Sequence, residues 1–146
     1  MTATVKDAYG NPVSGVTVEF SVGGANSASG DDPTDANGEA TFCYTGTNAG
    51  NDTITAFADT NTNGTDGGAS EPDDTASKTY VAADPATLTL APKTASNPVD
   101  SQHCVTATNK DAFGNPTPGI TDRFSVTGSV TTNGSQTTDA NGQATF

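Results

Sequence analysis

The chain has no tryptophan, one histidine, one methionine, two cysteines and only 5 basic residues among its 146. Each shortage excludes something. Five Lys and Arg against 17 Asp and Glu leave a formal charge of −12, so no basic patch can neutralise phosphates, and nucleic acid and anionic membrane are not expected as partners. The lone His103 has no second candidate base beside it and no Gly-x-Ser-x-Gly occurs, so no nucleophile is paired with a base and an enzyme is not expected. Zinc is equally unsupported, because there is no Cys-x-x-Cys spacing. No apolar run approaches the ~18 residues of a bilayer span, and residues 1–4 have neither the basic start nor the apolar stretch of a secretory leader. Membrane insertion is therefore not expected.

What is abundant is Gly, Pro, Thr, Asn and Asp, which suits short strands joined by turns and suits helices poorly. The expected class is all-β. The second positive feature is duplication. Thr34-Asp35-Ala36-Asn37-Gly38-Glu39-Ala40-Thr41-Phe42 returns as Thr138-Asp139-Ala140-Asn141-Gly142-Gln143-Ala144-Thr145-Phe146, 104 residues on. The same offset maps Lys6-Asp7-Ala8-Tyr9-Gly10-Asn11-Pro12 onto Lys110-Asp111-Ala112-Phe113-Gly114-Asn115-Pro116, and about 24 of the 41 pairs between residues 2–42 and 106–146 are identical. The chain is a tandem array, read as units at residues 1–83 and 84–146. Met1 falls where the second copy has Val105 in mid-strand, and Phe146 falls where the first copy continues. The expectation is a window on a longer, exported protein in which the first unit lacks its opening strand and the second its last strands.

Taken in order, residues 2–6 alternate with Ala3 and Val5 on one face, a half-buried strand ended by the Gly10-Asn11-Pro12 turn. Val16, Val18, Phe20 and Val22 make the clearest strand. Residues 23–33 lack a period and read as an irregular connection with room for a short edge strand. The turn at residues 35–38 leads into Ala40, Phe42 and Tyr44 on one face, and Ile54, Ala56 and Ala58 line the next strand. A polar loop and a strand at residues 75–81 close the unit. A short Pro85-stiffened linker then holds consecutive units in a fairly fixed orientation. Residues 87–92 open the second unit with Leu88 and Leu90 inward, and a strand from His103 to Asn109 re-enters the repeat.

The phrases Ala3-x-Val5-Lys6-Asp7-Ala8-Tyr9-Gly10-Asn11-Pro12, Gly15-Val16-Thr17-Val18-Glu19-Phe20, residues 34–42 and Asn51-Asp52-Thr53-Ile54-Thr55-Ala56 resemble the bacterial immunoglobulin-like repeats of the invasin and intimin type. The resemblance spans nearly the whole chain. It implies seven-stranded Ig-like antiparallel β-sandwiches in tandem on a surface or secreted protein. It implies no common ligand, since such repeats serve as stalks more often than as receptor-binding tips.

Three groups of residues could carry chemistry. Cys104 shifted back by one repeat lands just before Met1, so a full unit would hold cysteines 43 apart, and Cys43 and Cys104 each have their expected partner outside this sequence. Both alternate with core-facing neighbours, which argues for a bridge between adjacent strands on the outer face rather than one across the core. Two unconnected surface cysteines are the alternative, and a Cys43–Cys104 bond is disfavoured because the two belong to different units. Second, Asp59, Asn61 and Asn63 stand at positions 1, 3 and 5 of a loop with Gly64 at 6 and the Thr65 carbonyl at 7. This is the oxygen spacing of a Ca²⁺ loop, with Asp66 nearby and Glu71 as the closing carboxylate, one residue beyond the usual position. A solvated acidic turn is the alternative. Third, Lys6 and Lys110 beside Asp7 and Asp111 would suit an isopeptide crosslink only if buried, and the alternation points them outward.

The function these readings support is structural and adhesive: a stalk, spacer or fibre-building segment of an extracellular bacterial protein, its partners being other repeats and, through exposed sheet edges, other copies of the chain by strand pairing. The rival reading is a receptor- or glycan-binding module using the loops around Tyr9, Tyr44 or Phe57.

Overall fold

The computed structural model describes residues 1–65 and 71–146. Among them every regular element is a strand, every strand pairing is antiparallel, and there is no helix, as the composition predicts. The chain divides into two compact units, Met1–Val81 and Ala82–Phe146.

The first unit holds β1 (Thr2–Thr4), β2 (Thr17–Gly24), β3 (Ala28–Pro33), β4 (Glu39–Thr41), β5 (Gly50–Asp59) and β6 (Asp73–Tyr80). Four of them form a sheet in the order β3-β2-β5-β6, and β1 pairs with β4 in a second, two-stranded sheet. The two sheets face each other as a sandwich. Val18, Phe20 and Ala40 are buried together, with Ala3, Val5, Phe42 and Ala56 packed against them. The period-2 pattern explains why: in β2 the side chains of Val18, Phe20 and Val22 all point inward, and in β5 Ile54 and Ala58 do the same. Each large apolar side chain so buried contributes roughly 1.5–3 kcal/mol.

An aromatic run crosses this core. Phe20 stacks on Phe42 with ring centroids 5.3 Å apart, Phe42 on Tyr44 at 6.2 Å, and Tyr44 meets Tyr80 edge-on at 5.9 Å. Gly30 in β3 makes room for it, since a Cβ there would lie 2.8 Å from Phe42 Cε2. The stretch at residues 23–33 thus contains a six-residue edge strand, longer than its Gly, Ser and Asp content suggests, because β2 offers six consecutive pairing partners. Asp32 in β3 also accepts the Thr41 N–H at 2.6 Å, covering the outer edge of β4.

The second unit holds β7 (Thr87–Ala91), β8 (Thr106–Lys110), β9 (Thr121–Val126), β10 (Thr132–Thr137) and β11 (Gln143–Thr145), in a three-stranded sheet β11-β8-β7 and a two-stranded sheet β10-β9. The duplication is visible atom by atom. Val5 N–H donates to Gly38 O at 2.8 Å and Asn109 N–H to Gly142 O at 2.8 Å; Gly15 to Thr34 O at 2.8 Å and Gly119 to Thr138 O at 2.9 Å. Phe124 stacks on Phe146 at 5.2 Å as Phe20 does on Phe42.

Two expectations need correction here. The strand expected from His103 begins only at Thr106, with His103 and Cys104 exposed and outside it, because the pairing with β7 extends no further than Ala91 opposite Thr106. Leu88 and Leu90 lie opposite the buried Asn109 and Ala107, hence on the core-side face, yet Leu88 is 59 % exposed. The two-stranded β10-β9 sheet does not cover it.

Candidate functional site

The most regular local structure is the pair of Asp-led turns in each unit. Asp7 Oδ1 accepts the N–H groups of Tyr9 and Asn11, both at 2.9 Å, and its Oδ2 accepts Asn11 Nδ2. Asp111 repeats this on Phe113 and Asn115, and in addition accepts the Ala83 N–H at 3.1 Å. Asp35 and Asp139 close the second turn, each accepting two loop N–H groups, with Gly38 and Gly142 at positive φ completing it. Asn11 holds the Asp7 carboxyl below its ordinary value, and the Glu39 and Gln143 amides do so for Asp35 and Asp139. At Asp111 burial pushes the other way and is outweighed by the donors. These acids are structural acceptors. At the tip of the first turn, Tyr9 is 91 % exposed and its counterpart Phe113 63 %.

A buried network lies in the first unit that sequence reading missed. Asp52 is fully buried. Its Oδ1 accepts the Asn26 N–H at 2.7 Å, and its Oδ2 accepts Asn26 Nδ2 and the Tyr44 hydroxyl, both at 3.0 Å. Asn26 is fully engaged too, taking the Thr47 and Asn48 amides on its Oδ1 and donating to Asn48 O. Burial works to raise the Asp52 carboxyl, but the Asn26 and Tyr44 bonds together hold it below the ordinary value. Tyr44 is pushed up to about 12, by burial first and then by Asp52. Through Asn26 the cluster pins together the segments that carry Asn26, Tyr44, Asn48 and Asp52. The signal was legible in principle: Asp52 shares the parity of Ile54 and Ala58 and so had to point inward.

The residues singled out from sequence fall as follows. Cys43 and Cys104 are exposed free thiols, one in each unit. Lys6 and Lys110 are exposed, so neither meets the burial an isopeptide bond needs. Of the three aromatic loop candidates only Tyr9 is solvent-facing; Tyr44 and Phe57 are half-buried.

Asp59 and Glu71, at the two ends of the proposed cation loop, are 5 % and 2 % exposed. Asp59 accepts the Asn63 and Gly64 amides at 3.2 and 2.8 Å, and Glu71 Oε1 accepts those of Thr60 and Asn61 at 3.1 and 3.4 Å. The Asn61 and Asn63 carbonyl oxygens also bond within the loop, the latter to Thr65. Asp66 lies outside the described residues. The Gly64 amide is the main reason the Asp59 carboxyl sits low. The donor set has the hardness calcium favours, but the loop's own N–H groups already occupy it, and among the described residues no three Asp, Glu, His or Cys side chains gather.

No curated protein and no solved structure matches the chain. Residues 1–69, which take in β1 through β5 of the first unit, match the family described as bacterial Ig-like domain (group 1), and the match is consistent with a bacterial Ig-like repeat domain.

Proposed function

We propose that the chain is a structural and adhesive module, its repeats serving as a stalk, spacer or fibre-building segment of a bacterial surface protein. The family is one of non-enzymatic Ig-like domains found in bacterial surface proteins, which supports a location outside the cell. The observation that carries the reading is the set of hydrogen bonds repeated at the 104-residue offset. Two units share one plan of Asp-closed turns, and the depressed carboxyls serve as fixed acceptors within it. Replacing the segment by unrelated Ig-like repeats of equal length should leave adhesion by the parent protein intact, while shortening it should weaken attachment. Loss of adhesion on the equal-length exchange would overturn the reading.

A second reading, a receptor- or glycan-binding module, rests on Tyr9 and Phe113, exposed aromatics at the same place in both units. It requires that Tyr9→Ala with Phe113→Ala abolish adhesion with the fold unchanged; under the spacer reading adhesion persists. Calcium would act as a brace of the loop at residues 59–71. Because Asp59 and Glu71 are already committed to loop amides, the melting temperature is expected to be the same in chelator and in millimolar Ca²⁺. A clear rise with Ca²⁺ would assign the loop to the ion.

A further inference from the structure

The tripeptide Asn-x-Ser/Thr, with x other than Pro, occurs three times: Asn51-Asp52-Thr53, Asn63-Gly64-Thr65 and Asn133-Gly134-Ser135. All three asparagines are exposed, but their backbones differ. Asn51, Asp52 and Thr53 lie inside β5, opposite Thr79, Lys78 and Ser77 of β6, and Asp52 and Thr53 also pair with Gly24 and Gly23 of β2. Thr79 Oγ1 donates to Asn51 Oδ1 at 2.7 Å as well. Asn133, Gly134 and Ser135 lie inside β10, opposite Ser125, Phe124 and Arg123 of β9, and the Phe146 ring backs Gly134. Both segments are extended, and bending either one would break ladder hydrogen bonds.

Asn63, Gly64 and Thr65 lie outside the strands, in a bend. Asn63 Oδ1 accepts the Thr65 N–H at 2.8 Å and the Thr65 hydroxyl at 2.7 Å, which brings amide and hydroxyl to one side of the turn. Gly64 between them has φ +68°, and a Cβ there would meet nothing within 4 Å. The buried Asp59 holds the turn from beneath by accepting the Asn63 and Gly64 amides. Asn63 Nδ2, by contrast, donates to no partner among the described residues. Of the three tripeptides this one alone combines a bent backbone, a solvent-facing hydroxyl and an amide nitrogen that can react without breaking a bond in the fold.

We propose that Asn63 is an acceptor site for N-linked glycosylation, with a hexose activated as its nucleoside diphosphate as donor and a separate glycosyltransferase as catalyst. In the transfer Asn63 Nδ2 attacks the anomeric carbon. The new C–N bond forms, the bond from that carbon to the diphosphate oxygen breaks, the nucleoside diphosphate leaves with the electron pair, and Nδ2 gives up one proton. Oδ1 takes no part, so its two bonds to Thr65 survive and the turn is kept. The inference goes beyond the spacer reading and is independent of it, since transfer requires only an accessible turn.

The test incubates the folded 146-residue chain with an asparagine-directed glucosyltransferase and UDP-glucose, read by intact mass and peptide mapping. One hexose is expected, on the peptide that contains Asn63, with none on Asn51 or Asn133. Asn63→Gln and Thr65→Ala should each abolish the gain with an unchanged circular dichroism spectrum, whereas Thr65→Ser, which keeps the hydroxyl, should retain it. Labelling of Asn51 or Asn133 in preference to Asn63 would overturn the assignment. So would full labelling of Thr65→Ala, or a folded chain left unlabelled under conditions in which a short peptide bearing the same tripeptide is labelled.

Discussion

At the scale of single residues the chain is governed by carboxylates that accept hydrogen bonds from neutral donors. The carboxyls of Asp7, Asp35, Asp52, Asp59, Asp111 and Asp139 all sit below their ordinary 3.8. A depressed carboxyl adds stability that is present above the unfolded value and is lost as pH falls below it toward the folded one. Acid unfolding should therefore set in below about pH 4. Tyr44 has the opposite sign: raised from 10.0 to about 12, it contributes fully below pH 10 and loses that contribution as pH climbs toward 12. Tyr44→Phe should thus blunt the alkaline loss and, by removing a donor from Asp52, move the acid midpoint upward, as melts across the pH range would show. Thr117 supplies a second case. Its hydroxyl is buried without a hydrogen-bond partner, and the equivalent residue of the first unit is Val13. Thr117→Val should stabilise the second unit by about 1 kcal/mol, read by denaturant titration; a loss of stability would show that the hydroxyl is satisfied in solution.

At the scale of elements one difference between the two units lies where β8 meets β9. In the first unit Val5 packs against the buried cluster of Val18, Phe20 and Ala40; at the positions of Val5 and Val18 the second unit has Asn109 and Asp122, 2 % and 7 % exposed, with Asn109 Nδ2 donating to both Asp122 oxygens at 2.9 Å. Removing one partner strands the other, so Asn109→Val or Asp122→Val alone should each cost about 1–3 kcal/mol. The double variant should come close to the parent, and a double-mutant cycle in denaturant measures the coupling. Such elements also show what the sequence made legible. Strict alternation announced β2 and the inward side of β5, and the Asp-x-Asn-Gly turns announced themselves through residues that tolerate positive φ. β3 was legible only as room for a short edge strand within residues 23–33, because Ser29, Gly30 and Asp31 have poor strand propensity and are extended through pairing with β2. At the loop of Asp59, Asn61 and Asn63 the spacing of the oxygen side chains was visible in the sequence, whereas the amides to which Asp59 and Glu71 are bound were not.

At the scale of the molecule, a formal charge of −12 on 146 residues makes copies of the chain repel one another in neutral solution. The repulsion vanishes near the isoelectric pH of about 4.1, just above the range where the depressed carboxyls begin to protonate. Light scattering should peak close to that pH and clear again at pH 7; scattering flat across the range would mean that charge does not limit association. The likeness of the two units raises a different issue. Adjacent repeats so alike invite their strands to pair in the wrong partner during folding. The paired exchange of Val5 and Val18 for Asn109 and Asp122 guards against this, since a strand placed in the other unit would bury a carboxylate or an amide against valine. This disagreement inside the two cores thus acts as an address, by which each strand is sorted to its own domain.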